Sequence, residues 1–221
     1  AGSADVLEAL GININKTPEE EKNIFKKINI CFMYATNHHL CMKYASKVRK
    51  ELEFRTLFNI LGPLTNPACA RSQLLGVYDE KLVEPIAKVI SNLGVDNAIV
   101  LHGTDGMDEA TITSETIISE LKNKIIKSYV ISPSDFGIKK CIIEDIQGGN
   151  ANDNALIIKN IFSGKEKGAK KDIVVLNSAL AFYVYGKVQT IKEGVVFAEN
   201  VIESGLAFDK LNKYIEISNE V

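Results

Sequence analysis

The chain has 221 residues, of which 46% are hydrophobic and 24% are charged, and its formal net charge is −2. Such a composition is typical of a globular protein with enough apolar residues for a core. A charge this close to zero, with a pI of about 6.0, argues against a nucleic-acid binder, which normally carries a basic surface. No apolar run approaches the length of a membrane span. The four cysteines lack metal-ligand spacing, which predicts buried free thiols in a reducing cytoplasm.

The first 61 residues predict mainly helices. Thr17-Pro18-Glu19-Glu20 is a capping box with proline at the first helical position, so a helix should run from there to about Lys27. The apolar run 28–34 resembles a short strand. The other predicted helices are 5–10, 37–52 with apolar residues every fourth position, and 56–61, which Gly62-Pro63 ends.

The middle of the chain alternates between strand and helix patterns. Two apolar runs of strand type, 73–77 and 97–101, flank a helical pattern at 81–93. This order predicts a parallel sheet covered by helices, and therefore an α/β fold. Two further segments, 111–118 and 124–131, have strand character. The rest of the chain predicts four helices, at 152–163, 172–185, 190–204 and 207–214.

A polar motif, His102-Gly103-Thr104-Asp105-Gly106-Met107-Asp108-Glu109, directly follows the second predicted strand. Ligand sites in open α/β sheets lie just beyond the carboxyl ends of strands. Three carboxylates in five residues are hard oxygen ligands that suit Mg²⁺, which usually binds one or two carboxylates together with substrate phosphates. On the residues alone, a polar loop with solvated acids is an equal alternative.

Residues 55–67 read Arg-Thr-Leu-Phe-Asn-Ile-Leu-Gly-Pro-Leu-Thr-Asn-Pro, a helical apolar run followed by two proline turns. Together with the motif 102–109, this segment resembles the anthranilate phosphoribosyltransferase family, and the resemblance extends from Ala1 to about Lys210. It implies a mostly parallel sheet flanked by helices, as in nucleoside phosphorylases, with a short segment of a helical domain. The implied division is 1–35 and 61–221 for the α/β domain and 36–60 for the helical domain.

The resemblance also implies a reaction, which is transfer of a 5-phosphoribosyl group from phosphoribosyl pyrophosphate to the amine of anthranilate, with release of diphosphate. Asp108 and Glu109 would bind Mg²⁺, whereas for Asp105 a role in shaping the turn is an open alternative. His39 would line the acceptor pocket and Arg49 would grip the carboxylate of anthranilate. Gly62 and Pro63 would form a hinge that lines the acceptor channel. This sequence departs from the family at Leu40, where proline is common, and at Met42, where an aromatic residue is common, and both positions would contact the acceptor pocket.

The family's Gly-Thr-Gly-Gly-Asp diphosphate loop and its Lys-His-Gly-Asn segment do not occur in this sequence. We therefore expect the chain to be the C-terminal part of a longer cytoplasmic polypeptide, inactive alone and homodimeric when complete. Asn177-Ser178-Ala179 is also similar to the family, and core packing is its expected role. Two alternatives remain, a pyrimidine-nucleoside phosphorylase of the same fold and a non-catalytic relative that binds nucleic acid.

Overall fold

The computed structural model describes residues 1–38, 62 and 64–220. The chain divides into two compact units, of which unit 1 comprises Ala1–Gly62, Gly148–Lys165 and Ile202–Val221, and unit 2 comprises Pro63–Gln147 and Glu166–Val201. The predicted helix 56–61 and all but the start of 37–52 lie outside the described residues. The predicted domain boundaries at 35 and 60 remain a prediction.

Helices account for about half of the described residues. They are α1 Ser3–Leu10, α2 Pro18–Ile28, α3 Ala35–His38, α4 Val83–Asn92, α5 Ile143–Ile146, α6 Ala151–Phe162, α7 Ala169–Tyr185, α8 Ile191–Glu203 and α9 Leu206–Glu220. Two 3-10 turns, Glu80–Leu82 and Pro133–Phe136, complete them. None of the helices that the structure describes is long and apolar enough to cross a membrane.

The start of α2 confirms the predicted capping box. The Thr17 hydroxyl accepts a hydrogen bond from the backbone N–H of Glu20, and the Glu20 carboxylate accepts one from the backbone N–H of Thr17. The predicted strand 28–34 is wrong. Ile28 is the buried last residue of α2, Asn29 ends the helix in the left-handed conformation, and the backbone N–H of Phe32 donates to the Tyr214 hydroxyl. The apolar residues of this run therefore pack around a helix end, where no neighbouring strand pairs with them.

Unit 1 is held together by contacts between residues far apart in sequence. Its core contains Val6 and Leu10 of α1, Ile24 and Ile28 of α2, and Leu211, Tyr214 and Ile217 of α9, among other residues. The backbone N–H of Asn13 donates to the Ser218 hydroxyl, 205 residues away, and the Asn219 side chain donates to the Gly11 carbonyl. The helix that ends this unit thus fixes the conformation of its beginning.

Unit 2 contains a four-stranded sheet in the order β1-β2-β3-β4. The strands are β1 Ser72–Gly76, β2 Asn97–Gly103, β3 Thr116–Lys122 and β4 Ile125–Ile131. β1 and β2 are parallel, with α4 between them in sequence, as the strand–helix–strand pattern predicts. The α/β class is confirmed.

The described sheet is mixed, however, because β2–β3 and β3–β4 are antiparallel pairs. Only Asn123 and Lys124 separate β3 from β4, and both have positive φ, of 52° and 63°. A two-residue turn of this kind joins antiparallel strands, whereas a parallel pair needs a crossover of about a dozen or more residues. The short connection therefore decides the strand direction.

Strand β2 is the centre of this unit. Ile99 and Leu101 pack in one cluster with Leu176 and Leu180 of α7. Ala98 and Val100, which alternate with them and point to the opposite face, are also buried. Both faces of β2 are therefore covered, which fixes the position at which the strand ends.

The thiols differ from the prediction in their exposure. Cys31, Cys69 and Cys141 are free, as expected, but Cys69 is exposed and the other two are half-buried. Cys41 lies outside the described residues.

Candidate active-site loop

The polar motif forms a loop between the end of β2 and the start of β3, residues 104–115. A hydrogen bond from His102 holds the end of β2 in place. His102 is buried, and its Nδ1 donates a hydrogen bond of 2.8 Å to the carbonyl oxygen of Val77, the residue that follows β1. Asp108 and Glu109 are exposed on this loop. The structure thus places the two predicted metal ligands just beyond the carboxyl end of a buried strand.

Asp105 organises the first half of the loop. Its carboxylate accepts hydrogen bonds from the backbone N–H of Met107 at 3.2 Å, from the Thr111 hydroxyl at 2.5 Å, and from the Thr113 hydroxyl. Partial burial raises the pKa of Asp105, but these hydrogen bonds together outweigh it and hold the pKa below its ordinary value. Asp105 therefore stabilises the turn through its charged form, in agreement with a turn-shaping role.

Two further hydrogen bonds connect residues of the loop to the point where it ends and β3 begins. The backbone N–H of Thr104 donates to the Glu115 carbonyl at 2.9 Å. The backbone N–H of Thr111 donates to the Thr116 hydroxyl at 3.1 Å, and both of these threonines are buried. A loop with this many internal bonds holds its exposed carboxylates in a defined place.

Gly76, the last residue of β1, lies directly against the backbone of Asp108. A Cβ atom added at Gly76 would be 1.5 Å from the Asp108 carbonyl oxygen and 2.5 Å from its carbonyl carbon. Only glycine permits this approach. The sequence reasoning missed this contact, since two positions so far apart in the chain give no local sign of it.

Asn177 of α7 holds the loop from the other side. Its Oδ1 accepts from the backbone N–H of Ala110 at 3.0 Å, and its Nδ2 donates to the carbonyl oxygen of Ala110 at 2.8 Å. Nδ2 also donates to the Ile173 carbonyl of the same helix at 3.0 Å. Asn177 therefore does more than pack in the core, because it binds the residue that follows Glu109.

Asp108 and Glu109 are neighbouring acidic residues, and no basic side chain of the described residues forms an ion pair with them. Glu109 as a whole residue is exposed, but the protein around its carboxyl group removes part of that group's hydration. This desolvation raises the pKa of the Glu109 carboxyl, and the negative charge of Asp108 raises it further. A bound cation would reduce the electrostatic repulsion between these two carboxylates.

The described part of the chain contains no group of three or more His, Cys, Asp or Glu side chains that could hold a metal ion. Mg²⁺ needs no such group, because it usually binds one or two protein carboxylates and completes its shell with water and substrate phosphates. Two adjacent exposed carboxylates on a fixed loop fit this mode of binding.

Of the other predicted site residues, the structure describes only Gly62. His39, Arg49 and Pro63 lie outside the described residues. Gly62 is half-buried, and its φ is not in the left-handed region that favours glycine. The backbone at Gly62 therefore does not require glycine, and the part of Gly62 in substrate binding remains a prediction.

The chain matches the glycosyl transferase family, a/b domain, over residues 1–208, and it belongs to that family. Among its relatives, it is 51% identical over 218 residues to an anthranilate phosphoribosyltransferase of Methanobrevibacter smithii, covering 99% of this chain and 65% of that protein. The chain thus spans slightly less than two thirds of the length of such relatives.

Solved structures agree with this assignment. The chain superposes with a TM-score of 0.92 on anthranilate phosphoribosyltransferase from Thermus thermophilus, at 36% identity over 99% of this chain and 65% of that one. It also superposes, with a TM-score of 0.89 and 26% identity, on the Saccharomyces cerevisiae anthranilate phosphoribosyltransferase in complex with PRPP and Mg, covering 100% of this chain and 63% of that one.

Proposed function

We propose that this chain takes part in the transfer of a 5-phosphoribosyl group from phosphoribosyl pyrophosphate to the amine of anthranilate, with release of diphosphate, in tryptophan biosynthesis. The observation that carries the proposal is the fixed loop that presents Asp108 and Glu109 beyond the carboxyl end of β2. Similarity to anthranilate phosphoribosyltransferases along the chain supports the same function.

Asp108 and Glu109 would hold the Mg²⁺ ion, whose charge would neutralise the leaving diphosphate. In the transfer, the bond between C1 of the ribose and the diphosphate oxygen breaks, and a bond between C1 and the anthranilate nitrogen forms. The nitrogen then loses a proton to solvent. The weakly basic aromatic amine needs little help from a general base, so this chain would act chiefly by positioning and electrostatics.

The residues that would bind the acceptor are assigned from the sequence resemblance. Arg49 would bind the carboxylate of anthranilate, because a planar guanidinium matches a carboxylate with two parallel hydrogen bonds. His39, Gly62 and Pro63 would line the pocket and channel for the aromatic ring.

We further propose that the protein acts in the cytoplasm as a homodimer and that nucleic acids and membranes are not among its partners. The relatives and structural neighbours reported above give no support to a pyrimidine-nucleoside phosphorylase or to a nucleic-acid-binding relative.

The metal assignment can be tested with the double variant Asp108→Asn, Glu109→Gln in the native polypeptide that carries this chain. Loss of direct ligands should lower kcat/KM by more than the roughly 10–100-fold that loss of an outer-shell partner costs. The rate should be measured as a function of Mg²⁺ concentration. Glu115→Gln, which removes an exposed carboxylate from the same loop, is the matched control. An unchanged kcat/KM with unchanged Mg²⁺ dependence in the double variant would rule out the proposed role.

A further inference from the structure

The conformation of Glu109 is determined by the two peptide groups on either side of its Cα atom. The preceding one contains the Asp108 carbonyl, which lies against Gly76 at the end of β1. The following one contains the Ala110 N–H, which donates to Asn177 Oδ1 at 3.0 Å. Because both peptide groups are held by elements outside the loop, the direction of the Glu109 Cα–Cβ bond is fixed as well.

The side chain of Asn177 is suited to this task because its amide binds the backbone of Ala110 twice. It accepts from the N–H and donates to the carbonyl oxygen at 2.8 Å, while its second N–H hydrogen is available to the Ile173 carbonyl of its own helix. An apolar residue here could fill space but could not orient the peptide. Ala110 and Thr111 are completely buried behind the contact, so the loop has no room to turn away from it.

We propose that Asn177 is a positioning residue that sets the orientation of the Glu109 carboxylate and thereby the affinity of the loop for a divalent cation. The proposal rests on the proposed function, which assigns the cation to Asp108 and Glu109. Asn177 itself does not touch the metal or the substrates.

The test uses Asn177→Ala and the nearly isosteric Asn177→Leu in the native polypeptide. Binding of Mn²⁺ in the presence of phosphoribosyl pyrophosphate is followed through the electron paramagnetic resonance signal of free Mn²⁺, and amide hydrogen exchange is followed at Ala110. Removing the support of a metal ligand typically weakens metal binding by about 10–100-fold. We expect a loss of Mn²⁺ affinity in that range, faster exchange at Ala110, and a KM for anthranilate that changes far less.

Two controls on the same helix separate positioning from stability. Ser178→Ala changes the neighbouring residue, which has no side-chain hydrogen bond in the described part of the chain. Val175→Ala removes side-chain volume from α7 at a position that is 1% exposed and lies outside the core cluster that contains Ala110 and Ile112 of the loop, so it should destabilise unit 2 without disturbing the loop. Both controls should keep the Mn²⁺ affinity of the wild type to within about twofold, well below the change expected for an outer-shell partner.

The outcomes distinguish the two proposals. If both folded Asn177 variants bind Mn²⁺ like the wild type while Asp108→Asn, Glu109→Gln does not, the positioning role is refuted and the metal assignment stands. If that double variant also binds Mn²⁺ normally, the metal assignment itself fails. Loss of fold in both Asn177 variants, seen by circular dichroism, would assign Asn177 to core packing and overturn the positioning role.

Discussion

Substituting Gly76 by alanine should disturb the loop 104–115 more than any change in that loop's own exposed residues. The new Cβ would lie 1.5 Å from the Asp108 carbonyl oxygen, and real Cβ atoms are essentially never found under 3.0 Å from such a neighbour. The two groups must therefore move apart by at least the difference between these two distances. Neither group is the flexible end of a side chain.

The energetic cost follows from what resists this movement. On one side, Gly76 pairs with Leu101 in the β1–β2 ladder, and the next residue, Val77, donates a hydrogen bond to the Leu101 carbonyl. On the other side, the loop is held at Ala110 by Asn177. Overpacking typically costs about 1–3 kcal/mol, and a clash between two held backbones belongs at the upper end, so we expect a loss of about 3 kcal/mol in the free energy of unfolding.

Urea denaturation gives this loss, and amide hydrogen exchange over residues 104–113 shows whether the loop has moved. Gly168→Ala is the mild control, because its added Cβ would meet only the end of the Glu166 side chain. Gly194→Ala is the comparison for a clash elsewhere, since its Cβ would lie 2.7 Å from the Ala179 carbonyl oxygen; it should destabilise unit 2 without faster exchange in the loop. A Gly76→Ala protein with wild-type stability and loop exchange would refute the reasoning.

Two further predictions concern other parts of the site. Arg49→Ala should raise the KM for anthranilate far more than the KM for phosphoribosyl pyrophosphate in steady-state kinetics, and equal effects on both would argue against the carboxylate contact. Asp105→Asn should alter the pH dependence of stability. The pKa of Asp105 is lower in the folded state than in the unfolded state. Its ionised carboxylate therefore stabilises the fold at pH values above the unfolded pKa of about 3.9, and this stabilisation is lost as the pH falls through the folded-state pKa. The stability difference between wild type and Asp105→Asn, from urea denaturation, should therefore shrink between about pH 5 and pH 3, and a difference that stays constant over this range would contradict the charged role of Asp105.

Local signals in the sequence predicted the elements that depend on local chemistry. The capping box at Thr17 and the strand–helix–strand order of β1, α4 and β2 were both confirmed. The motif that follows β2 was correctly placed at the end of a strand. In each of these cases, the deciding interactions lie within a few residues or within one repeating pattern.

Contacts across the chain decided the features that were missed. The strand pattern at 111–118 begins only at Thr116, because Thr111 and Thr113 direct their hydroxyl groups to Asp105. Asn177 and Ala110 are separated by 67 positions, so no local pattern could assign the asparagine to the loop. Its similarity to the family was the one available signal, and by itself it did not indicate what the side chain binds.

The way in which unit 1 is closed has a consequence for how the chain acquires its structure. The hydroxyl of Tyr214 binds the backbone of Phe32, 182 residues earlier, and Lys210 donates to the Ile28 carbonyl across the same separation. Contacts of such long range are slow to form, because a large loop must be closed before they contribute. During synthesis, α1 and α2 must therefore wait for α9, with residues such as Ile24 and Ile28 lacking their final partners until then. This interval is the one in which the nascent chain would depend most on protection from aggregation.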